Sequence, residues 1–202
     1  VRGGKPATIE SSSIRLLGEL AFNNALDEAF RALCLNVPSE SDIARELGAN
    51  IDPEAILGSR DALILAVAEA HGEKFEQLYN ELEHHGAFNP DAAGAGRRSL
   101  RNVLLDYLSV ADGNPKRASK QFKQANNMTD RAAALNVLVQ RFGTSTATND
   151  ALQAFEARYG NDALVMDKWF VVQAMQPGES ALGKVNELMK HQLFSLDNPN
   201  RT

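Results

Sequence analysis

The chain has 202 residues, of which 44% are hydrophobic and 23% charged, enough apolar residues to build a globular core. A net charge of −5 and a pI near 5.4 argue against a general affinity for nucleic acid or anionic lipid. No stretch of eighteen apolar residues occurs, and the first residues lack the apolar segment of a signal peptide. The single cysteine, Cys34, cannot form an internal disulfide, so we expect a protein of the reducing cytoplasm. Because the sequence begins at Val1 rather than Met, we also expect a fragment of a longer chain.

The first quarter of the chain predicts a flexible lead-in followed by short helices. Glycine, proline and serine residues mark residues 1–11 as the lead-in. A helix with three apolar residues on one side follows: Ile14, Leu17 and Leu20. Asn24 is predicted to begin a second helix with apolar positions at Leu26, Phe30, Leu33 and Cys34. Ser39 and Asp52-Pro53 are start signals for the next two helices.

The longest helical pattern runs from about Arg60 to Glu83. Its predicted apolar stripe is Leu63, Val67, Ala70, Phe75, Leu78 and Leu82. Gly72 is a candidate position for a bend or a break. Gly86 is predicted to close this helix.

The middle of the chain predicts three more amphipathic helices. The first has a core-facing stripe formed by Leu100, Val103, Leu104, Tyr107 and Leu108. The second follows Asn114-Pro115, with Phe122 inward and four basic residues outward: Lys116, Arg117, Lys120 and Lys123. Thr129 is the predicted N-cap of the third, which ends at Gly143. Its apolar stripe is Ala132, Leu135, Leu138, Val139 and Phe142.

The last part predicts a helix from Asn149 or Asp150 to Gly160, and then the most apolar helix of the chain at residues 164–175. This segment carries Trp169, the only Trp, and its only charges are Asp167 and Lys168. Since its apolar residues point in nearly every direction, we expect a central helix surrounded by others. A final full helix has apolar positions at Leu182, Val185, Leu188 and Met189. A further helix is predicted to begin at Asp197-Asn198-Pro199.

No segment shows the alternation of a β-strand, so the sequence predicts an all-α fold. Helices of ten to twenty residues joined by short turns favour antiparallel neighbours. We expect a superhelical stack of antiparallel helix hairpins, α-solenoid-like with irregular repeats, and hold a compact bundle as the alternative. Residues 12–202 are predicted to form a single all-helical domain, part of a larger domain truncated at both ends.

The motifs of zinc, nucleophile and phosphate sites are incomplete or absent. His71-Gly72-Glu73 lacks the Pro-Cys-x-x-Cys of a deaminase, His84 and His85 are adjacent, and His191 stands alone, so we interpret the histidines as solvated. Cys34 fits a buried, inert thiol better than a reactive one. Gly94-Ala95-Gly96 has no strand before it and fits close helix packing better than a phosphate loop.

A basic cluster at residues 94–125 is the one local anomaly in charge. It holds seven Lys or Arg and two Asp, a net charge of +5 in a chain of −5. Nucleic-acid binding would need exposed aromatics for stacking, yet Tyr107 and Phe122 fall on apolar stripes. A solvated face, or pairing with an acidic neighbouring domain, is favoured.

Four stretches, in this order and spacing, resemble bacterial aminopeptidase N, the zinc alanyl aminopeptidases of the gluzincin type. They are residues 96–102 (Gly-Arg-Arg-Ser-Leu-Arg-Asn), 120–135 (beginning Lys-Gln-Phe-Lys-Gln-Ala-Asn-Asn-Met-Thr-Asp), 164–170 (Leu-Val-Met-Asp-Lys-Trp-Phe) and 198–201 (Asn-Pro-Asn-Arg). The similarity covers most of residues 20–202. It implies a position inside the large helical C-terminal domain of such an enzyme.

The resemblance also implies what this chain lacks. The family's zinc motif, His-Glu-x-x-His, and its amine-binding motif, Gly-Ala-Met-Glu-Asn, do not occur. We therefore expect no catalytic residue, metal or cofactor here, with zinc held elsewhere in the parent enzyme. The family's helical domain encloses the active-site cavity and limits access to it, so the implied partners are other domains of the same chain and peptide substrates, not nucleic acid or membrane.

One site residue is implied by the resemblance. Arg201 matches an Arg that faces the substrate cavity near the peptide's C-terminal side, where a guanidinium offers two parallel donors to a carboxylate. The alternative is that Arg201 contacts only the start of its own helix. Two other functions stay open for the whole chain: a free-standing α-solenoid that binds protein partners, and a nucleic-acid binder using the 94–125 face.

Overall fold

A computed structural model describes residues 8–143 and 145–197 of the chain. Within those residues it contains ten helices and no strand, so the all-α prediction is confirmed. The helices are α1 Ser11–Phe22, α2 Glu28–Leu35, α3 Glu40–Leu47, α4 Pro53–Glu81, α5 Ala92–Asp112, α6 Lys116–Gln124, α7 Met128–Phe142, α8 Thr146–Tyr159, α9 Ala163–Ala174 and α10 Ala181–Leu188. The helix predicted from Asp197-Asn198-Pro199 extends outside the described residues.

The helices group into two compact units, one that holds α1–α5 and ends at Gly113, and one that begins at Asn114 and holds α6–α10. In the first unit α5 packs against both α2 and α4, while α1 contacts α2 and α4. In the second, α7 contacts α6, α8 and α9, and α10 packs on α9. Most of these contacts join helices close in sequence. The single domain over residues 12–202 stays a prediction.

Two aromatic residues mark the core of the first unit. Phe75 of α4 and Tyr107 of α5 are both at most 1% exposed, and their rings meet edge to face at 5.6 Å. The Tyr107 hydroxyl donates a hydrogen bond of 2.8 Å to the Leu35 carbonyl oxygen at the end of α2. One side chain therefore links three helices, and its polar atom is satisfied inside the core.

The predicted start signals of α3 and α4 are confirmed. The Ser39 hydroxyl accepts a hydrogen bond from the Asp42 backbone N–H, and the Asp52 carboxylate accepts one from the Ala55 N–H. Ser39 also donates to the Asp42 carboxylate at 2.6 Å, which holds the pKa of Asp42 below its usual value. α4 then runs unbroken for 29 residues from Pro53. The break considered at Gly72 is absent. The helix predicted from about Arg60 to Glu83 begins earlier, at Pro53, and ends at Glu81.

The prediction for α2 was wrong in both its start and its buried face. Asp27, not Asn24, is the N-cap, and Phe30 and Leu33 are 46% and 65% exposed. The buried face instead carries Arg31, whose Nε and Nη2 donate to the Ala21 carbonyl oxygen at 2.8 and 2.5 Å. This oxygen lies in the last turn of α1, where the backbone carbonyl oxygens have no N–H donor within the helix. The Arg31 guanidinium supplies the missing donors.

Two further N-caps lie earlier than predicted. Asn127 caps α7 in place of Thr129, and Ser145 caps α8 in place of Asn149 or Asp150. Both true caps accept a hydrogen bond from the N–H three residues on. In each case several cap-forming residues lie close together, and local pattern does not rank them.

The apolar helix was predicted correctly at α9, but its surroundings were not. Met166, Trp169, Phe170 and Gln173 are buried on one side. On the other side Leu164, Val171 and Met175 are 74%, 52% and 69% exposed. Two predicted core residues of α10 also face outward, Leu182 at 71% and Met189 at 48% exposure. Among the described residues, α9 is therefore packed on one face only. No helix among the described residues is both long and apolar enough to cross a membrane.

His71 is not solvated as predicted, and it lies directly against Gly18 of α1. Its ring is packed by Phe22 and Phe75, and its Nε2 is 3.0 Å from the Ile14 carbonyl oxygen. A Cβ added at Gly18 would lie 2.3 Å from Nε2, much closer than any allowed contact. The glycine is therefore what lets α1 approach the α4 histidine.

This contact gives a paired prediction on two helical glycines. Gly18→Ala should lower the free energy of unfolding by about 1–3 kcal/mol, because the His71 ring must leave its hydrogen bond and its aromatic neighbours. Gly72→Ala is the matched control, since its added Cβ would meet nothing within 4 Å. It should raise stability by up to about 1 kcal/mol through helix propensity. Urea unfolding measures both, and equal effects would contradict the packing role of Gly18.

Candidate functional site

The one predicted substrate residue, Arg201, lies outside the described residues, as does the whole stretch 198–201. Its role in a substrate cavity therefore stays a prediction. The other three stretches that carry the family resemblance, residues 96–102, 120–135 and 164–170, are all described, and each builds a different feature of the helical scaffold.

Residues 120–135 form the corner between α6 and α7. The Asn127 side chain accepts from the Asp130 N–H at 2.9 Å and donates to the Asp130 carboxylate at 2.8 Å. Gln121 of α6 is 3% exposed and donates to the Asp130 backbone oxygen at 3.2 Å. Amide side chains at these two positions thus fix the turn between the helices. This stretch therefore has a structural role in joining α6 to α7.

Arg131 joins three helices in this corner through buried hydrogen bonds, and the sequence analysis did not predict its role. The residue is 7% exposed, and its guanidinium donates to the carbonyl oxygens of Phe122 and Ala125 at the end of α6 and, at 2.6 Å, to the Tyr159 hydroxyl of α8. The signal was present in the sequence. Arg131 precedes Leu135 by four residues and Leu138 by seven, so it lies on the predicted apolar stripe of its helix.

Residues 164–170 contribute the aromatic core of the second unit. The Trp169 indole is 6% exposed and donates to the Leu152 carbonyl oxygen of α8 at 3.0 Å. Its ring contacts Phe170 and His191 with centroids 5.2 Å away in both cases. The interpretation of His191 as solvated was therefore wrong.

The hydrogen bonds of His191 define its tautomer. Its Nδ1 accepts from the Leu193 N–H at 3.1 Å, so the ring proton is on Nε2, which donates to the Glu156 carboxylate at 2.9 Å. Both ring nitrogens are occupied by protein groups. The histidine holds the segment after α10 against α8 and α9, and offers no free nitrogen to a metal.

The outward side of α9 presents a row that we call the α9 stripe: Leu164, Lys168, Val171 and Met175. Spacings of four, seven and eleven residues place all four on one side of the helix. Each is exposed, and Lys168 forms no ion pair with any residue that the structure describes. The stripe is thus an apolar surface with a single positive charge near its middle.

The third stretch, residues 96–102, packs α5 against its neighbours. Gly96 lies where a Cβ would come within 3.0 Å of the Ala29 backbone nitrogen, so the glycine permits close contact with α2, as predicted for this region. Arg98 lies over the Phe88 ring at 4.7 Å, and Arg101 over the Tyr79 ring at 4.3 Å. Arg101 also pairs with Glu83 at 3.3 Å. These arginines stabilise the fold around α5.

The rest of the basic cluster lies on α6, in the second unit. Lys116, Lys120 and Lys123 are exposed along one side of this helix. The two aromatic residues of the cluster, Tyr107 and Phe122, are buried at 1% and 6% exposure, as predicted. No ring of this cluster is available to stack on a base, so the arrangement fits a solvated face better than a nucleic-acid site.

The histidines and the cysteine lie apart from one another in the part of the chain that the structure describes. His84 and His85 are exposed and adjacent, and His71 and His191 are engaged as described above. Among the described residues no three His, Cys, Asp or Glu side chains come together as a metal would require. Cys34 is half-buried rather than fully buried.

Comparison with known proteins identifies the family of this chain. Residues 2–202 match the family described as "Domain of unknown function (DUF3458_C) ARM repeats", and the chain belongs to this family of helical repeat domains. ARM repeats are stacks of helices, in agreement with the predicted fold class.

The chain is also similar to proteins named aminopeptidase N, which confirms the predicted resemblance. It is 38% identical to that of Caulobacter vibrioides over 188 residues, 92% of this chain and 21% of the relative. With the Escherichia coli K12 protein it shares 32% identity over 201 residues, 98% of this chain and 22% of the relative. The chain thus spans about a fifth of the length of these relatives.

A solved structure shows the same fold. The crystal structure of Legionella pneumophila aminopeptidase A in complex with aspartic acid superposes with a TM-score of 0.84 at 26% identity. The match covers 98% of this chain and 24% of that one. In sequence and in fold, this chain is similar to one helical portion of longer aminopeptidases.

Proposed function

We propose that this chain is the non-catalytic helical portion of a zinc-dependent aminopeptidase N, an enzyme that removes N-terminal residues from peptides. The observation that carries the proposal is coverage: almost the whole chain matches about a fifth of each aminopeptidase N relative. The zinc motif His-Glu-x-x-His does not occur in this sequence. We therefore place the zinc ion and its general base in another part of the parent protein. We propose that this parent protein is cytoplasmic.

The role proposed for the helical portion is to enclose the active-site cavity and limit which substrates enter. Helix stacks support this role, because each helix pair is fixed by its neighbours while the outer surfaces remain available to line a cavity. Arg201 is the proposed cavity residue, offering its guanidinium to the carboxylate of a bound peptide. The implied partners are the other domains of the same chain and the peptide substrates.

Activity measurements on the chain and on its parent test this proposal. With zinc present, the 202-residue chain should release no p-nitroaniline from alanyl p-nitroanilide, whereas the parent protein should do so. The parent should also cleave short alanyl peptides while leaving the N-terminal alanine of a folded protein in place. Turnover by the isolated chain would contradict the non-catalytic role, and equal cleavage of folded substrates would contradict the access limit.

A free-standing helical interaction module is the second candidate. The observation that favours it is the number of exposed apolar residues on α9 and α10, since such residues are common at protein interfaces. An open reading frame that begins with its own Met near residue 1 would favour this module over the enzyme domain.

A further inference from the structure

We propose that the α9 stripe is the docking surface for an apolar helix from the remainder of the parent polypeptide, with a carboxylate of that helix opposite Lys168. This inference rests on the proposed function, because it requires a parent chain. It specifies which surface of the helical portion is covered in the whole protein and what chemistry covers it.

The stripe is held in a fixed position by the opposite side of its own helix. Met166, Trp169, Phe170 and Gln173 are all at most 6% exposed, and the Trp169 indole is hydrogen-bonded to α8. α9 therefore has no freedom to rotate its outward residues into the core. Leu164, Val171 and Met175 stay in water unless another molecule or segment covers them, and covering them is favourable.

Exposed apolar residues are concentrated in this part of the chain. Beyond the stripe, three more large apolar residues on α10 or after it are exposed: Leu182 at 71%, Met189 at 48% and Leu196 at 70%. Single exposed apolar residues are normal on a protein surface, whereas a row along one helix marks an interaction site. A straight row at helical spacing suits a partner helix, which presents its own ridge of side chains.

The length of the relatives indicates a source for the partner helix, namely the rest of the same polypeptide. This chain spans 21–22% of the aminopeptidase N relatives, so most of each relative lies outside the matched portion. A segment of the same polypeptide is present at high effective concentration and needs no separate association step. Such a segment is the simplest cover for the stripe.

Lys168 argues against a second copy of this chain as the cover. It is exposed between Leu164 and Val171 and is unpaired among the described residues. In a two-fold symmetric dimer centred on the stripe, the two Lys168 ammonium groups would face each other across an apolar interface. A partner with a carboxylate at that place turns the same charge into a favourable interaction.

The test compares the same substitutions in the 202-residue chain and in the parent protein. Val171→Asp and Lys168→Glu place a negative charge on the stripe. Gln153→Asp, on the exposed side of α8, is the matched control for an added carboxylate. Thermal unfolding and aminopeptidase activity are measured for each variant in both proteins.

In the isolated chain all three variants should unfold within about 2 °C of the unmodified protein, because the altered side chains are exposed. In the parent, Val171→Asp and Lys168→Glu should lower the unfolding midpoint by about 5 °C or more, while Gln153→Asp should not. Lys168→Met should be tolerated better than Lys168→Glu, because it removes the charge without repelling a facing carboxylate.

Two results would overturn the inference. The first is an active parent whose unfolding midpoint is unchanged by the stripe variants. The second is a dimer of the isolated chain that Val171→Asp dissociates while the parent is unaffected, which would assign the stripe to a second copy. A parent protein without aminopeptidase activity would instead contradict the proposed function. The activity assay detects this outcome by itself, independently of the unfolding midpoints.

Discussion

Replacing Trp169 by alanine should cost about 3–5 kcal/mol of the free energy of unfolding. The side chain is 6% exposed, contacts the rings of Phe170 and His191, and donates its indole N–H to the Leu152 carbonyl oxygen. Alanine leaves a cavity between α8 and α9 and removes this hydrogen bond. Urea unfolding followed by far-ultraviolet circular dichroism measures the loss without needing the tryptophan signal.

A control on the same helix separates burial from a general effect of shortening α9 side chains. Val171 is 52% exposed, so Val171→Ala should change stability by less than about 1 kcal/mol in the isolated chain. A loss below about 1 kcal/mol for Trp169→Ala would mean that the tryptophan faces solvent or a cavity. The packing of α9 described above would then be wrong.

Replacing Arg131 by alanine should cost about 3 kcal/mol, because a buried guanidinium and its three acceptors lose their interactions together. Two of the acceptors are carbonyl oxygens at the end of α6, where no helix N–H is available to replace the lost donors. The third is the Tyr159 hydroxyl on α8. Unfolding by urea should show the loss as a lower midpoint with an unchanged slope.

A lysine at position 131 tests whether the positive charge or the geometry of the hydrogen bonds accounts for the stabilisation by Arg131. Arg131→Lys keeps the charge but has one nitrogen in place of a planar fork, so it should recover less than half of the loss. Lys123→Ala, on the exposed side of α6, is the control and should change stability by under about 0.5 kcal/mol. Full rescue by lysine would show that the charge alone matters and that the three-way hydrogen bonding does not.

Most helix positions could be predicted because their signals lie within a few residues of each other. Ser39 and Asp52-Pro53 do begin helices, and Gly143 and Gly160 do follow the last residues of α7 and α8. The errors at α7 and α8 are shifts of two to five residues among neighbouring cap-forming side chains. Capping is a local hydrogen bond, so a local pattern is sufficient to find it approximately.

The candidate site could be predicted less well from the sequence than the helices. Arg201 came only from the family resemblance and lies outside the described residues. The α9 stripe was invisible in the periodicity, because residues 164–175 are apolar on nearly every side. A helix without an amphipathic pattern carries no mark of which side faces its neighbours.

The sequence by itself determined the fold class, the approximate bounds of the helices and the family, since each depends on patterns along the chain. Tertiary structure alone decided which faces are buried. Phe30, Leu33 and Leu182 face water, while Arg31 and Arg131 lie inside with their donors satisfied. The physical reason is that burial depends on the partner helix. A carbonyl oxygen of another helix stabilises an arginine in the core, and an apolar side chain stays exposed where no helix covers it.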